Sequence, residues 1–280
     1  MSQQRKYEFT GETQFRLGVT LKRIRALVDI ASLGVQPGDI GGWVESEKNL
    51  SHAGDAWVCG DAWVYGDARV YGDAWVCGDA RVYGDARVYG DARVYGNAWV
   101  YGDARVYGNA WVCGDARVCG NARVYGNAWV YGYARVYGNA RVYGDAWVCG
   151  YARVYDDAWV CGDARVYGNA RVCGNAWVCG YARVYGNARV YGDARVCGDA
   201  WVYDDAWVSP VCLSGYAHHV TIADSTLQVG CWAGTHDDWQ KGGLKVILAD
   251  GHDKKTAKAW HAIICALIDS HPAKAKGGAS

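Results

Sequence analysis

The sequence has few of the residues that usually fill a mixed hydrophobic core: two phenylalanines, one methionine and three prolines in 280 residues. It has no apolar run approaching the ~18 residues of a membrane-spanning helix, and residues 1–9 lack the apolar segment of a signal peptide. Acidic and basic residues are equal in number, at 29 each, which argues against a nucleic-acid or membrane-surface partner. We therefore expect a cytoplasmic protein whose core is not of the ordinary mixed kind.

What is abundant is glycine, tyrosine and tryptophan, with 38, 21 and 15 residues. Their abundance comes from a repeat, because a valine recurs at every sixth position from Val58 to Val208 and an alanine lies two residues before each one. The unit is Gly-(Asp/Asn)-Ala-(Arg/Trp)-Val-(Tyr/Cys). Alternating apolar residues predict a short strand with one buried face, and Gly-Asp or Gly-Asn predicts a turn in which the Asx side chain bonds its own backbone. A helix is excluded, since a period of six makes no apolar stripe.

Strands this short bury almost nothing alone, so the units must stack into a solenoid with valine and alanine inside. The segment Val64-Tyr65-Gly66-Asp67-Ala68-Arg69 resembles the hexapeptide repeat of left-handed parallel β-helices. That family includes serine acetyltransferase, sugar N-acyltransferases and the γ-class carbonic anhydrases. The resemblance implies about three hexads per coil, so residues 18 apart would stack in columns. We therefore predict an all-β fold, a left-handed parallel β-helix over residues 54–209.

The outward positions of such a solenoid sort into faces. One would carry a ladder of tryptophans, which we predict as the interaction face because a long exposed apolar ladder needs a cover: Trp57, Trp75, Trp111, Trp129, Trp147 and Trp201. Another would carry an Arg/Tyr ladder: Arg69, Arg87, Arg105, Arg123, Arg141, Tyr71, Tyr89, Tyr107, Tyr125 and Tyr143. The outward residues interchange as single-base neighbours (Tyr with Cys, Trp with Arg), which is typical of a recently amplified repeat.

The ends of a solenoid need caps. Residues 1–53 are predicted as the N-terminal cap, in which residues 41–44 read as a degenerate first hexad, Leu50 lies six residues beyond Val44, and a small loop follows at Ser51 and His52. Residues 210–272 are predicted as a small α+β cap and residues 273–280 as a disordered tail. Strands are expected at 220–222 and 227–229, and a helix at 254–270 with Asp253 as its N-cap. Both ends resemble uncharacterised hexapeptide-repeat proteins of bacteriophages and enterobacteria.

Catalysis is not expected. The acyltransferases of the resembled family use a histidine near the coils, and the γ-class carbonic anhydrases use three as zinc ligands, but no histidine occurs between Asp55 and Ala217. A degenerate acyltransferase using His218 or His219 is the enzymatic alternative. Zinc bound by Cys231 and His236, with one further histidine from either His252 or His261, is only weakly supported by the spacing, so no metal or cofactor is predicted.

Nine cysteines follow repeat valines, and without an export signal we expect them to be reduced. The Arg/Tyr ladder could bind small anionic nucleotides, but 15 repeat arginines face 17 aspartates of the same region, so duplex binding is not expected. The resulting hypothesis is a non-enzymatic scaffold or binding protein, encoded by a phage or prophage. It would self-associate, as a homotrimer by analogy with the resembled family, or bind a host protein through the C-terminal cap.

Overall fold

A computed structural model describes residues 5–203, 207–208, 211–213, 220–222, 226–229, 232–249 and 251–270. It is a parallel β-solenoid of about nine turns, followed by a small part with two helices. Among the described residues, no helix is long and apolar enough to cross a membrane. The predicted tail at residues 273–280 lies outside the described residues.

Each repeat unit forms a strand of two or three residues, and strands 18 residues apart pair in parallel register, as in Trp111 with Trp129. The strands make three sheets. The nine-stranded sheet, named here the Trp face, consists of Trp57–Val58, Trp75–Val76, Arg93–Val94, Trp111–Val112, Trp129–Val130, Trp147–Val148, Arg165–Val166, Arg183–Val184 and Trp201–Val202. The eight-stranded sheet, named the Arg/Tyr face, consists of Arg69–Val70, Arg87–Tyr89, Arg105–Tyr107, Arg123–Val124, Arg141–Val142, Trp159–Val160, Trp177–Val178 and Arg195–Val196. The third face consists of Trp63–Val64, Arg81–Val82, Trp99–Val100, Arg117–Val118, Arg135–Val136, Arg153–Val154, Arg171–Val172, Arg189–Val190 and Trp207–Val208.

The interior of the solenoid contains only the small residues that the repeat supplies. Every repeat alanine and valine from Ala56 to Val202 is at most 3% exposed. Successive coils are joined by backbone hydrogen bonds, such as Trp75 N to Ala92 O at 2.9 Å and Cys77 N to Val94 O at 2.9 Å. The core predicted from the valine period is therefore present.

The corners differ from the sequence expectation in one respect. Asparagine side chains bond the Asx residue of the next coil, as Asn109 Nδ2 does with Asn127 Oδ1 at 3.1 Å and Asn127 Nδ2 with Asp145 Oδ1 at 3.0 Å. The prediction that these side chains bond their own backbone was wrong at these corners, because the stack places an amide donor and an Asx acceptor one layer apart. The corner glycines have positive φ, as at Gly114 (φ 66°), which an L-residue adopts only with strain.

The N-terminal cap is a meander that continues the third face. Strands β1 (Tyr7–Arg16) and β2 (Val19–Ala26) are antiparallel, and β2 is antiparallel to β3 (Ile40–Val44). Short 3-10 helices lie at Ala31–Leu33 and Glu47–Asn49. Strand β3 then pairs in parallel with the first repeat strand of the third face, matching Val44 to Val64.

The degenerate first hexad is thereby confirmed. Leu50 bridges Val70 in parallel, so Val44 and Leu50 each precede their partner by 20 residues, which is one coil plus the two loop residues predicted at Ser51 and His52. Lys6 closes the end of the coil: it is 3% exposed and its Nζ donates to Ala56 O at 2.6 Å and Gly54 O at 3.0 Å. Burial lowers the pKa of Lys6 to about 8.

The C-terminal part is a four-stranded antiparallel sheet of Val211–Leu213, Val220–Ile222, Thr226–Val229 and Trp232–Thr235, with helices α1 (His236–Ala249) and α2 (Lys254–Ser270). Strands at 220–222 and 227–229 were predicted, and helix α2 has the predicted bounds, with Asp253 Oδ1 accepting from the backbone N–H groups of Lys255 and Thr256. Helix α1 was missed because Gly242 and Gly243 weaken the helical signal. Gly243 is required there, since a Cβ would overlap the buried indole of Trp239.

Candidate interaction faces

The structure brings the predicted tryptophans into one column on the Trp face, with Trp57 paired to Trp75 and Trp129 to both Trp111 and Trp147. Trp57, however, is 1% exposed. Strand β3 covers it, and a Cβ at Gly41 would lie 2.8 Å from its ring. Including Trp57 in an exposed face was therefore wrong, and that face begins at Trp75.

Trp111, Trp129 and Trp147 stack on one another rather than project freely. The ring centroids of Trp111 and Trp129 are 4.6 Å apart and those of Trp129 and Trp147 are 5.6 Å apart. The three half-buried indoles are bounded by arginines, with Arg93 Cζ 5.1 Å from the Trp111 ring and Arg165 Cζ 4.8 Å from the Trp147 ring. Trp201, at 42% exposure, lies beyond this strip.

The Arg/Tyr face carries the predicted ladder. The five rings from Tyr71 to Tyr143 form one continuous stack, with centroids 4.8 to 4.9 Å apart and planes within 3°. The five arginines from Arg69 to Arg141 pair in register beside it. The structure also places Trp159 and Trp177 on this face, stacked 4.8 Å apart, with Arg141 Cζ 4.6 Å from the Trp159 ring.

Some of the repeat arginines lie over aromatic rings instead of pairing with carboxylates. Four ion pairs form among the described residues, and none involves a repeat arginine from Arg69 to Arg183. On the third face, Arg81 lies between the rings of Trp63 and Trp99, with Cζ 4.5 and 5.0 Å from their centroids. Such contacts are favourable because the face of an indole is negatively polarised.

Where a cysteine follows a tyrosine in a column, the thiol lies one layer from the tyrosine. For Tyr101, the interaction with the Cys119 thiol, together with burial, raises the pKa of the phenol to about 12. Burial and then the interaction with the Cys149 thiol raise the pKa of Tyr131 to the same value. These two phenols therefore stay neutral well above their usual range.

The nine repeat cysteines were expected to be free thiols, but four of them form disulfides. Cys59–Cys77 and Cys179–Cys197 are joined as disulfides, with Cα atoms 4.6 and 4.7 Å apart. The stacking of coils explains why these pairs form, because a spacing of 18 residues puts two cysteines in adjacent layers within the Cα range of a disulfide. Free thiols among the described residues include Cys149 and Cys161.

A hollow of about 580 Å³ lies where the Arg/Tyr face meets the N-terminal cap, and it is lined by Lys48, Ser51, Arg69, Val70, Tyr71 and Arg87. The Lys48 ammonium pairs with Asp67 at 2.8 Å. This contact raises the pKa of Lys48 and lowers that of Asp67, so both groups stay charged at neutral pH. Sequence reasoning found Arg69, Tyr71 and Arg87 but missed Lys48 and Ser51, although Leu50 at the repeat spacing was a signal for the position of Ser51.

A second hollow, of about 230 Å³, lies beside the Trp face at Cys149, where the Tyr column is interrupted. Tyr131 and Tyr167 lie one layer to either side, and Trp147, Arg165 and Arg183 complete the lining. Its volume is below the range usual for ligand pockets. It is therefore the weaker of the two candidate sites.

The C-terminal histidines do not come together into a site within the described part of the chain. His236 is buried, and His261 Nε2 lies 3.1 Å from Trp239 O. No group of three or more His, Cys, Asp or Glu residues that could hold a metal ion occurs among the described residues. Cys231, His218 and His219 lie outside those residues.

The repeat matches the family model described as the YdcK beta solenoid repeat, at residues 62–78, 74–89, 80–96, 86–102, 98–114, 116–132, 134–150, 164–180 and 182–198. The starts of successive matches differ by multiples of six, so each match spans about one coil in a frame set by the hexad. No curated protein gives a significant match to the chain. With the three parallel sheets, the matches identify the chain as a β-solenoid repeat protein.

Proposed function

We propose that this β-solenoid is a non-enzymatic scaffold that self-associates through the Trp face. The observation that carries the proposal is the strip of three stacked, half-exposed indoles at Trp111, Trp129 and Trp147. An apolar strip on a rigid surface gains free energy when it is covered, and aromatic residues are enriched at protein interfaces.

A second copy of this chain is the partner that fits the strip. Arg93 and Arg165 bound it symmetrically about Trp129, so an isologous contact would set indole against indole. Resemblance to the hexapeptide-repeat family favours a trimer, in which each copy would contribute the same ladder. In either arrangement the tryptophans are buried by the same residues of another copy.

Three finer parts of the proposal rest on the sequence resemblance. They are the left-handed winding of the hexads, an origin in a phage or prophage, and action in the bacterial cytoplasm. A positive φ at every described corner glycine is compatible with one regular winding throughout. Binding of a host protein by residues 210–272 is the competing role.

The test is the native mass by light scattering of the wild-type chain and of a variant with Trp111→Arg, Trp129→Arg and Trp147→Arg. Arginine already occupies this column at Arg93 and Arg165, so the fold should persist, as circular dichroism would check. We expect the wild type to be an oligomer and the variant a monomer of 30.5 kDa. A monomeric wild type, or a variant of unchanged mass, would overturn the proposal.

A matched control replaces the stacked pair on the Arg/Tyr face, with Trp159→Arg and Trp177→Arg. It adds the same kind of charge to the solenoid without touching the Trp face. We expect this control to keep the wild-type mass. Dissociation of the control as well would show that added charge, rather than loss of the indole strip, separates the copies.

A further inference from the structure

The end of the Tyr stack on the Arg/Tyr face is open on one side. Tyr89 covers one face of the Tyr71 ring, at 4.8 Å and 3°. The column position before Tyr71 belongs to Ser51, because Leu50 bridges Val70 and Ser51 N donates to Val70 O at 2.9 Å. Serine has no ring, so the stack ends there with one aromatic face toward the hollow.

In the column of Arg69, the position one coil earlier also contributes no side chain to the ladder. Asn49 is fully buried, and its Nδ2 donates to Gly66 O and Ala68 O, both at 2.9 Å. Its side chain therefore turns onto the backbone of the first coil instead of covering Arg69. The missing layer above Arg69 and Tyr71 is the hollow of about 580 Å³, a volume within the usual range for small-molecule sites.

The charged side chains that line this space are all basic: they are Lys48, Arg69 and Arg87. Asp67 and Glu45 are not among the lining residues but act on the charge of Lys48, and Asp67 Oδ1 is paired with it. Guanidinium groups suit phosphate because their fork of N–H donors matches two phosphate oxygens.

The corresponding end of the third face has the opposite character. There Tyr65 ends a stack on Tyr83, and the position before it belongs to Glu45, whose N donates to Val64 O at 3.0 Å. The Glu45 carboxylate accepts from Gly66 N at 2.7 Å. Two tyrosine stacks thus end at the same cap, and only the one that ends at Ser51 combines an open ring face with cations.

We propose that the hollow formed by Lys48, Ser51, Arg69, Tyr71 and Arg87 binds a nucleoside phosphate. Its base stacks on the open face of Tyr71 as a sixth ring, and its phosphates are held by the two guanidiniums and the Lys48 ammonium. Stacking of a base on an aromatic side chain tolerates any base, so the site selects for a ring joined to phosphate rather than for one sequence or sugar. This inference does not depend on self-association through the Trp face.

The test is calorimetric titration of the full chain with ATP, adenosine and tripolyphosphate. We expect ATP to bind saturably and at least about tenfold more tightly than either of the other two, since each retains only the ring or only the charge. No saturation below about 1 mM ATP would overturn the proposal, and so would equal binding of tripolyphosphate. A 5′-phosphorylated single-stranded oligonucleotide distinguishes the source: tighter binding than ATP assigns the same site to a strand terminus.

Substitutions by residues that already occur elsewhere in the same columns locate the site. Tyr71→Cys and Arg69→Trp are expected to weaken ATP binding at least about tenfold, and both keep the fold because Cys161 and Trp159 occupy the same two columns. Tyr65→Cys, at the Glu45 end, is the matched control and is expected to bind ATP as the wild type does. Wild-type affinity in Tyr71→Cys, or an equal loss in Tyr65→Cys, would refute the assignment. The native mass of each variant separates this result from a failure of the Trp-face proposal.

Discussion

Alanine substitution at two glycines with the same positive φ should separate the cost of positive φ from the cost of stacking. Gly114, at a repeat corner, and Gly34, in the N-terminal cap, both have φ of 66°. A Cβ at Gly34 would meet nothing within 4 Å, whereas a Cβ at Gly114 would lie 3.1 Å from Gly132 N and 3.3 Å from Gly132 O in the next coil. The obstructing atoms are backbone, and they cannot rotate away.

The expected magnitudes follow from these two terms. A left-handed conformation costs an alanine about 1–2 kcal/mol, part of which is offset by the lower entropy of the unfolded chain. We therefore expect Gly34→Ala to lower the free energy of unfolding by about 1 kcal/mol. Gly114→Ala adds overpacking of about 1–3 kcal/mol, for a total of about 3 kcal/mol, because inter-coil hydrogen bonds from Cys113 to Val130 O and from Arg117 to Ala134 O fix the neighbouring layer.

Urea unfolding followed by circular dichroism measures both variants against the wild type, with the m-value checked for a change in cooperativity. A solenoid can unfold in segments, so hydrogen exchange near residue 114 should show whether the loss is local. Equal costs at the two glycines would show that positive φ alone explains the glycine repeat. In that case the close approach of stacked corners would not be what excludes other residues.

Three further predictions concern single groups. Asp156, with φ of 58°, occupies a corner position that glycine holds in the coils before and after it, at Gly138 and Gly174. Asp156→Gly should therefore raise the free energy of unfolding by about 1 kcal/mol in the same urea assay. No gain would show that the contact of Asp156 with Gly174 N offsets the strain. The pKa of Lys6 is about 8 in the folded chain and 10.5 in the unfolded chain, so the unfolded chain binds more protons above pH 8. The urea midpoint should therefore rise between about pH 8 and 9.5. The variant Lys6→Met should not show that rise. Above about pH 10 the dependence of stability on pH reverses, because the pKa values of Tyr95 and Tyr101 are raised to about 12 in the folded chain and the same phenols ionise first in the unfolded chain. Stability should then fall as the pH rises. The tyrosinate absorbance of these two residues should appear together with unfolding.

The sequence pattern was sufficient to predict the solenoid core, and the resemblance to hexapeptide-repeat proteins implied the register of 18 residues between coils. A valine period of six fixes which side chains point inward, and the longer spacing from Leu50 to Val58 predicted where two residues leave the repeat. Helix α2 was equally clear, because the Asp253 cap and an apolar face agree. These features depend on local pattern, so no knowledge of distant contacts was needed.

The features that could not be predicted depend on contacts between layers or with the cap. Trp57 has the same local sequence as an exposed tryptophan, and only the position of β3 shows that it is covered. The pairing of Cys59 with Cys77 was missed although the two lie 18 residues apart in one column, because reduced thiols were expected without an export signal. The bonds between Asx side chains depend on the side-chain conformations in two adjacent coils. The hollow at Tyr71 exists because Ser51 and Asn49 replace a ladder layer, which is a property of the cap rather than of the repeat.

The exchanges along each column have a physical basis that complements their origin in single-base changes. Indole stacks on indole at 4.6 Å in Trp111 and Trp129, and guanidinium lies on indole at 4.5 Å in Arg81 and Trp63, so either group fills a layer. Tyrosine and cysteine exchange in the same way, since the phenol of one layer interacts with the thiol of the next, as Tyr131 does with Cys149. Within a stack, identity is therefore weakly constrained, and a single substitution there should change little. Constraint on a residue should be strongest where a column ends without a partner layer, which is why we assign ligand binding to the open face of Tyr71 rather than to any rung inside the ladder.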